Sequence, residues 1–328
     1  MTGLMDASVH LAKESTYGTW EAPTRSFEAL VDDWKKEQAQ LESNGMRTGR
    51  QTTRSDRRKQ IPLGGSGSLQ LDLLNKGFGL LLEGILPVTT GPTQVAATTA
   101  YQQTHSTDDD GSADSYSIQV WRPYADNSGI EEFSHAGCVP TSWKLAQPSE
   151  DLAKLEIAYD FQSVSYDEAA ATPAYPANSD PFCWPDAKVT IDGTDFDEVL
   201  SFELNGDLGM RTDRRYLQAS ALKKAPKRAG VPTYTGQMDA DWVKTEFYDD
   251  FVAGTIVPVI FTWEIAGDSI ESGQDYQFIA TCQACQFDGD SPTVGTDSAP
   301  SQSLPFKVLH DGTNPAVVFS LKTTDTAL

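Results

Sequence analysis

The sequence has no apolar run near the roughly 20 residues that a membrane-crossing helix requires. It opens MTGLMDASVHLAKES, without a charged start followed by an apolar stretch. The reading therefore expects no secretory signal, no membrane partner and synthesis in a cytoplasm. Cysteine is scarce: Cys138, Cys183, Cys282 and Cys285 are the four, expected as free thiols in a reducing compartment. Histidine is equally scarce, and His10, His105, His135 and His310 have no mutual spacing that suggests a metal site or a catalytic triad. Positive charge is short as well. Lys and Arg number 25 against 47 Asp and Glu, a net charge of −22. Such a chain repels phosphates, which argues against a specific DNA binder.

What is present is core-forming and β-rich. With 39% hydrophobic and 10% aromatic residues over 328 positions, the chain can bury two domains or one large β domain, and disorder throughout is excluded. Strand-like runs recur at 115–121, 152–161, 187–193, 197–206, 257–265, 276–287 and 316–322. Leu155, Ile157, Tyr159 and Phe161 alternate with Lys154, Glu156, Ala158 and Asp160, the period-two pattern of a half-buried strand. Two stripes at helical spacing predict helices over 71–86 and 239–254, stopped by Gly84 with Pro87 and by Gly254. Both stripes are read as core packing. Segments 90–114, 167–186 and 288–305 read as loops or linkers.

GGSGS (64–68) lacks the Lys–Ser/Thr pair of a phosphate loop and is read as a flexible turn. DDDGSAD (108–114) lacks the spaced ligands of a calcium loop. CQAC (282–285) falls on an expected strand, where positions three apart face opposite sides, so buried thiols are preferred over a zinc knuckle. No catalytic, cofactor-binding or metal-ligating group is assigned, and the chain is not read as an enzyme.

One phrase occurs twice: GMRTGR (45–50) and GMRTDRR (209–215). Each opens a basic run. The first holds Arg47, Arg50, Arg54, Arg57, Arg58 and Lys59. The second holds Arg211, Arg214, Arg215, Lys223, Lys224, Lys227 and Arg228, and together they carry more than half of the 25 basic residues. Placing Gly67 on Gly236 puts Asp72 on Asp241 and Phe78 on Phe247. Both halves then read strand, basic loop, strand, helix and further strands, so the second half is taken as a diverged copy of the first; chance similarity of two β-rich regions is the alternative. Basic loops on an acidic body suit another copy of the same protein, since charge complementarity steers such contacts and a head-to-tail contact closes a ring or propagates a filament.

The order of elements resembles the major tail tube proteins of long-tailed bacteriophages, particularly the longer ones of phages that infect actinobacteria. KESTYGTWEAPTRSFE (13–28), GMRTGR (45–50), GSGSLQLDLLNKGFGLLLEGIL (65–86) and GCVPTSWKLA (137–146) carry the resemblance. It implies a mainly β fold of two tandem β-sandwich or barrel modules, 1–186 and 187–328, each with one flanking helix and one long extended loop, here Ser43–Pro62 and Gly209–Pro232. It implies a structural subunit of the virion tail, assembled in the host cytoplasm, whose rings stack into a tube for DNA ejection. Implied partners are further copies of the chain, the tape measure protein and the tail tip and terminator proteins, with DNA passing an acidic lumen unbound. Three two-module chains per ring are favoured, with six chains the alternative. Arg47, Arg50, Arg54, Arg57, Arg58, Lys59, Arg211, Arg214, Arg215, Lys223 and Lys224 are the expected contacts between subunits or rings. An acidic β-rich decoration or adhesion protein is the competing reading, and no cofactor is expected.

Overall fold

A computed structural model describes residues 7–49, 51–107, 114–126, 128–289 and 300–328. The chain is mainly β. Its first part contains β1 (Ser8–Lys13), β2 (Arg25–Phe27), β3 (Ala29–Asp32), β4 (Lys35–Glu42), β5 (Arg58–Asp72), α1 (Gly79–Ile85), β6 (Val88–Gln94), β7 (Tyr101–Ser106), β8 (Tyr116–Pro123), β9 (Ile130–Gln147), β10 (Lys154–Phe161) and β11 (Ser163–Ser165). Its second part contains β12 (Ala187–Ile191), β13 (Thr194–Asp195), β14 (Val199–Asp207), β15 (Met210–Arg211), β16 (Lys227–Arg228), β17 (Thr233–Asp241), α2 (Glu246–Ala253), β18 (Ile256–Glu271), β19 (Gln274–Phe287), β20 (Ser301–Val308) and β21 (Val317–Thr323).

The main layer is an antiparallel ladder running β4, β5, β10, β9, β14, β17, β20, β19, with β3 continuing the β4 edge. One face of it is apolar. Leu69, Leu71, Leu155, Ile157, Tyr159, Trp143, Leu145, Phe202, Leu204, Met238, Leu304 and Phe306 are all buried there. A second layer closes over that face: β2–β1–β8 with the start of β9 in the first half, and β13–β12–β18–β19 in the second. Their buried residues, among them Leu11, Ile118, Val120, Val189, Phe261, Trp263 and Phe278, join a single core. Period-two patterning thus produces a β-sandwich, since each strand has one face to bury.

β9 belongs to both layers. Its early residues pair β8 and its later residues pair β10 and β14. The crossing falls at Gly137, whose φ of 70° suits glycine and whose added Cβ would lie 2.8 Å from Gln162. The Glu14 carboxylate fixes this corner, accepting from Gly137 N at 2.7 Å, Gly18 N at 2.8 Å, Ser115 Oγ at 2.7 Å and Ser117 Oγ at 3.0 Å. A buried charge persists where several donors satisfy it.

Both halves carry the same irregularities. Tyr116 faces Cys138 and the register slips before Ile118 meets His135; Val257 faces Cys285 and the register slips before Val259 meets Cys282. Ala29 faces Leu71 with a slip before Val31 and Gln70; Val199 faces Ala240 with a slip before Ser201 and Asp239. The Cys138 thiol donates to the His135 carbonyl at 3.5 Å and the Cys285 thiol to the Cys282 carbonyl at 3.7 Å. Phe27 packs on Phe78 with ring centroids 6.3 Å apart, and Phe196 on Phe247 at 4.6 Å.

Several sequence expectations change. The first helix is confined to Gly79–Ile85, because 69–72 belong to β5 and Leu74 pairs with Pro181 in an isolated bridge. The second is confined to Glu246–Ala253, with Gly254 as a left-handed C-cap at φ 67°. Only Phe247 of that helix is buried; Val243, Phe251 and Val252 are exposed, so its stripe is not core. Segment 90–106 is not a loop: β6 and β7 form a hairpin, and β7 pairs with the distant β21. The 108–113 part of the acidic stretch and residues 290–299 lie outside the described residues, while 301–305 belong to β20. Segment 167–186 is a strap: Phe182 is fully buried and Leu152 bridges Cys183. GGSGS is strand, since Gly67 admits the Trp34 ring and Gly65 the Phe161 ring.

Candidate assembly surfaces

The outward face of the ladder is polar and continuous across both halves. It carries Asp72, Glu156, Glu203, Asp207, Asp239 and Asp241, interspersed with Ser66, Ser142, Ser201, Asn205, Thr235 and Ser303 and a few lysines. At its middle, β9 joins β14 over Ser142–Gln147 and Phe202–Asp207. A 420 Å³ surface groove follows this join, lined by Trp143, Lys144, Glu156, Asn205, Asp207 and Thr235 among others. Lys144 bridges the join to Glu203, whose carboxyl it holds below its ordinary range. Lys154 is paired with Asp151 at 2.6 Å. Burial pushes the Asp72 carboxyl up. The face is therefore acidic, with two of its lysines neutralised by partners within the chain.

The β3–β4 end of the ladder is an open edge among the described residues. β3 and β4 pair only with β5, and Leu30, Val31 and Leu41 are exposed. β14, whose register slip against β17 matches that of β3 against β5, is paired on both sides. An unpaired edge is a template for another strand. Arg122 pins this edge, donating to Asp32 Oδ1 at 2.7 Å and to the Trp34 carbonyl at 3.1 Å.

The two basic loops adopt different structures. The first extends β4 and β5 as a projecting hairpin paired out to Glu42 and Arg58. Arg47 is exposed near its tip, and Arg50 lies outside the described residues. Arg54 pairs Asp56 at 2.5 Å and Arg58 pairs Glu42 at 3.0 Å. Arg57 and Lys59 are exposed, and neither forms an ion pair among the described residues.

The second loop folds back onto the first half. Arg215 donates to the Leu63 carbonyl at 2.7 Å, and Gln162 donates to the Lys223 carbonyl at 2.7 Å. Arg214 donates to the Ala225 carbonyl within the loop. Arg211 pairs Asp213 at 2.7 Å, and the Lys224 ammonium lies 5.8 Å from the Tyr216 ring. Lys223 departs from the expected exposed contact: only 3% of its side chain is accessible, and its ammonium sits 2.5 Å from Asp160 Oδ1 on β10. Burial raises the Asp160 pKa, and Lys223 opposes that rise. The alternation in β10 gave Asp160 no reason to be covered; a loop more than sixty residues away covers it.

The repeated phrase itself is not at matching places. Strand register sets Glu37 opposite Gly64 and Asp207 opposite Thr233, in corresponding positions. Gly209 lies two residues past Asp207 and leads into the short β15–β16 pairing, with its carbonyl bound by Ala229 and Gly230. Gly45 lies further out, beyond β4. The identical residues mark no shared conformation.

CQAC lies on β19 with both thiols buried. Among the described residues, no group of three or more His, Cys, Asp or Glu side chains is placed to hold a metal ion. No helix among the described residues is long and apolar enough to cross a membrane. A two-layer β-sandwich with a polar sheet face, an open edge and long loops has the makeup of a structural subunit. A family model described as phage tail tube protein matches residues 6–308. The chain belongs to the phage tail tube protein family and is a structural component of the phage tail. No curated protein matches it.

Proposed function

We propose that the chain is the major tail tube subunit, built of two copies of one module, 1–186 and 187–328, with three chains closing a ring. The observation that carries this reading is the β9–β14 join. It places the last ladder strand of the first half against the first ladder strand of the second. The open β3–β4 edge holds in the first half the place that β14 holds in the second. Repeating the internal join between chains uses that edge, and closing a ladder into a barrel is how exposed edges are removed. The shared register slips, thiol bonds and Phe–Phe pairs support the duplication.

In this ring the polar ladder face lines the lumen. Its carboxylates repel DNA phosphates, and the Lys144 and Lys154 charges are already neutralised, so DNA slides without being held. Rings stack into a conduit for DNA ejection. The tape measure protein fills the lumen before ejection, tip and terminator proteins cap the ends, and assembly takes place in the host cytoplasm. No catalytic step is assigned. Purified protein imaged by electron microscopy tests the reading: stacked rings support it, and protein that stays monomeric at high concentration overturns it.

A further inference from the structure

The internal docking of the second loop leaves a matching site on the second half uncovered. Lys307 of β20 faces Thr235 and Gln286, as Asp160 of β10 faces Ser66 and Val139. The two positions correspond in both ladders. Asp160 is covered by the second loop and holds Lys223. Lys307 is exposed, and it forms no ion pair among the described residues. Among the described residues, the first loop, in turn, makes its ion pairs only within its own hairpin. It bridges Glu37 and Gly64 with almost the length that the second loop uses between Asp207 and Thr233. Its stretch 43–57 has a single acidic residue, Asp56, whose half-exposed carboxylate is bound by Arg54 of the same loop and would have to be shared with a new partner.

We infer that the first loop of one copy docks on the second half of the next, with Asp56 against Lys307, the Asp160–Lys223 pair with its charges exchanged. This rests on the ring reading above, since the internal join supplies the template. The exchange has a consequence for order. A second loop placed on the second half would set Lys223 against Lys307, and a first loop placed on the first half would set Asp56 against Asp160. Like charges brought together disfavour both. The two kinds of half therefore alternate, and a ring cannot close in the wrong register.

A charge swap on the full-length chain tests this. Lys307→Glu and Asp56→Lys alter exposed side chains, so circular dichroism should match wild type. Each alone should raise the protein concentration needed for ring and tube formation, read by sedimentation and negative-stain microscopy, by about tenfold or more. The double variant should return to within about threefold of wild type. Single variants that assemble like wild type, or a double variant no better than the poorer single, overturn the pairing while leaving the ring reading intact. Wild-type protein that never assembles overturns both.

Discussion

Lys223→Met removes the ammonium that Asp160 faces while keeping an apolar stem in the slot beside Gly64. The Asp160 side chain is 12% accessible, and its Oδ2 already has no partner. Without Lys223 the carboxylate is left buried and unpaired, a change that costs about 3–5 kcal/mol. Proton uptake caps the electrostatic part. A carboxyl with an ordinary pKa of 3.8 can be neutralised at pH 7 for about 4 kcal/mol, at 1.36 kcal/mol per pH unit. The sign of the pH dependence follows. In the variant the folded-state pKa of Asp160 is raised further, so the deficit is largest at neutral pH and shrinks as pH falls towards the ordinary value. Urea unfolding of unassembled protein at pH 7 and pH 5 measures it. The deficit at pH 7 should be about 3–4 kcal/mol, and at pH 5 smaller by about 2 kcal/mol. Lys223→Met with Asp160→Asn should recover much of the loss. A deficit under about 1 kcal/mol, or one that does not change with pH, refutes the buried pair as described.

Two further perturbations follow from the core. Gly67→Ala puts a Cβ 2.4 Å from the Trp34 ring, so it should destabilise by about 1–3 kcal/mol, read as a lowered urea midpoint. An unchanged midpoint would mean that Trp34 can move aside freely. Burial lowers the pKa of His10, His105 and His135 to about 4. Folded neutral and unfolded near 6.5, each contributes stability that is fully present above pH 6.5 and is lost as pH falls towards 4. Each loss is at most about 3 kcal/mol. Thermal unfolding should weaken over that window, and His105→Gln should flatten the slope; a slope unaltered by the substitution would contradict the assignment.

The β architecture was legible because strands such as β10 place apolar residues at every second position against a single core. The β6–β7 hairpin was not legible. It is rich in Thr and Gln, and its stabilising partner β21 lies some two hundred residues away. GGSGS reads as a turn by composition, yet its glycines serve the close approach of Trp34, from the junction of β3 and β4, and of Phe161, from β10. The basic loops could be located, but their conformations could not. Two runs of similar charge and length became a projecting hairpin and a folded-back clasp: the first pairs with Asp56 and Glu42 of its own hairpin, while the second reaches Asp160 on another strand. The twin phrase matches none of the geometry of the two loops.

If the β9–β14 join repeats between chains, three two-module chains close one ring. Native mass spectrometry of isolated rings, with class averages of end-on views, tests it most directly. Three chains of 35.7 kDa and six similar lobes per ring are the predicted result. Six chains per ring, or assemblies without a closed ring, would contradict it.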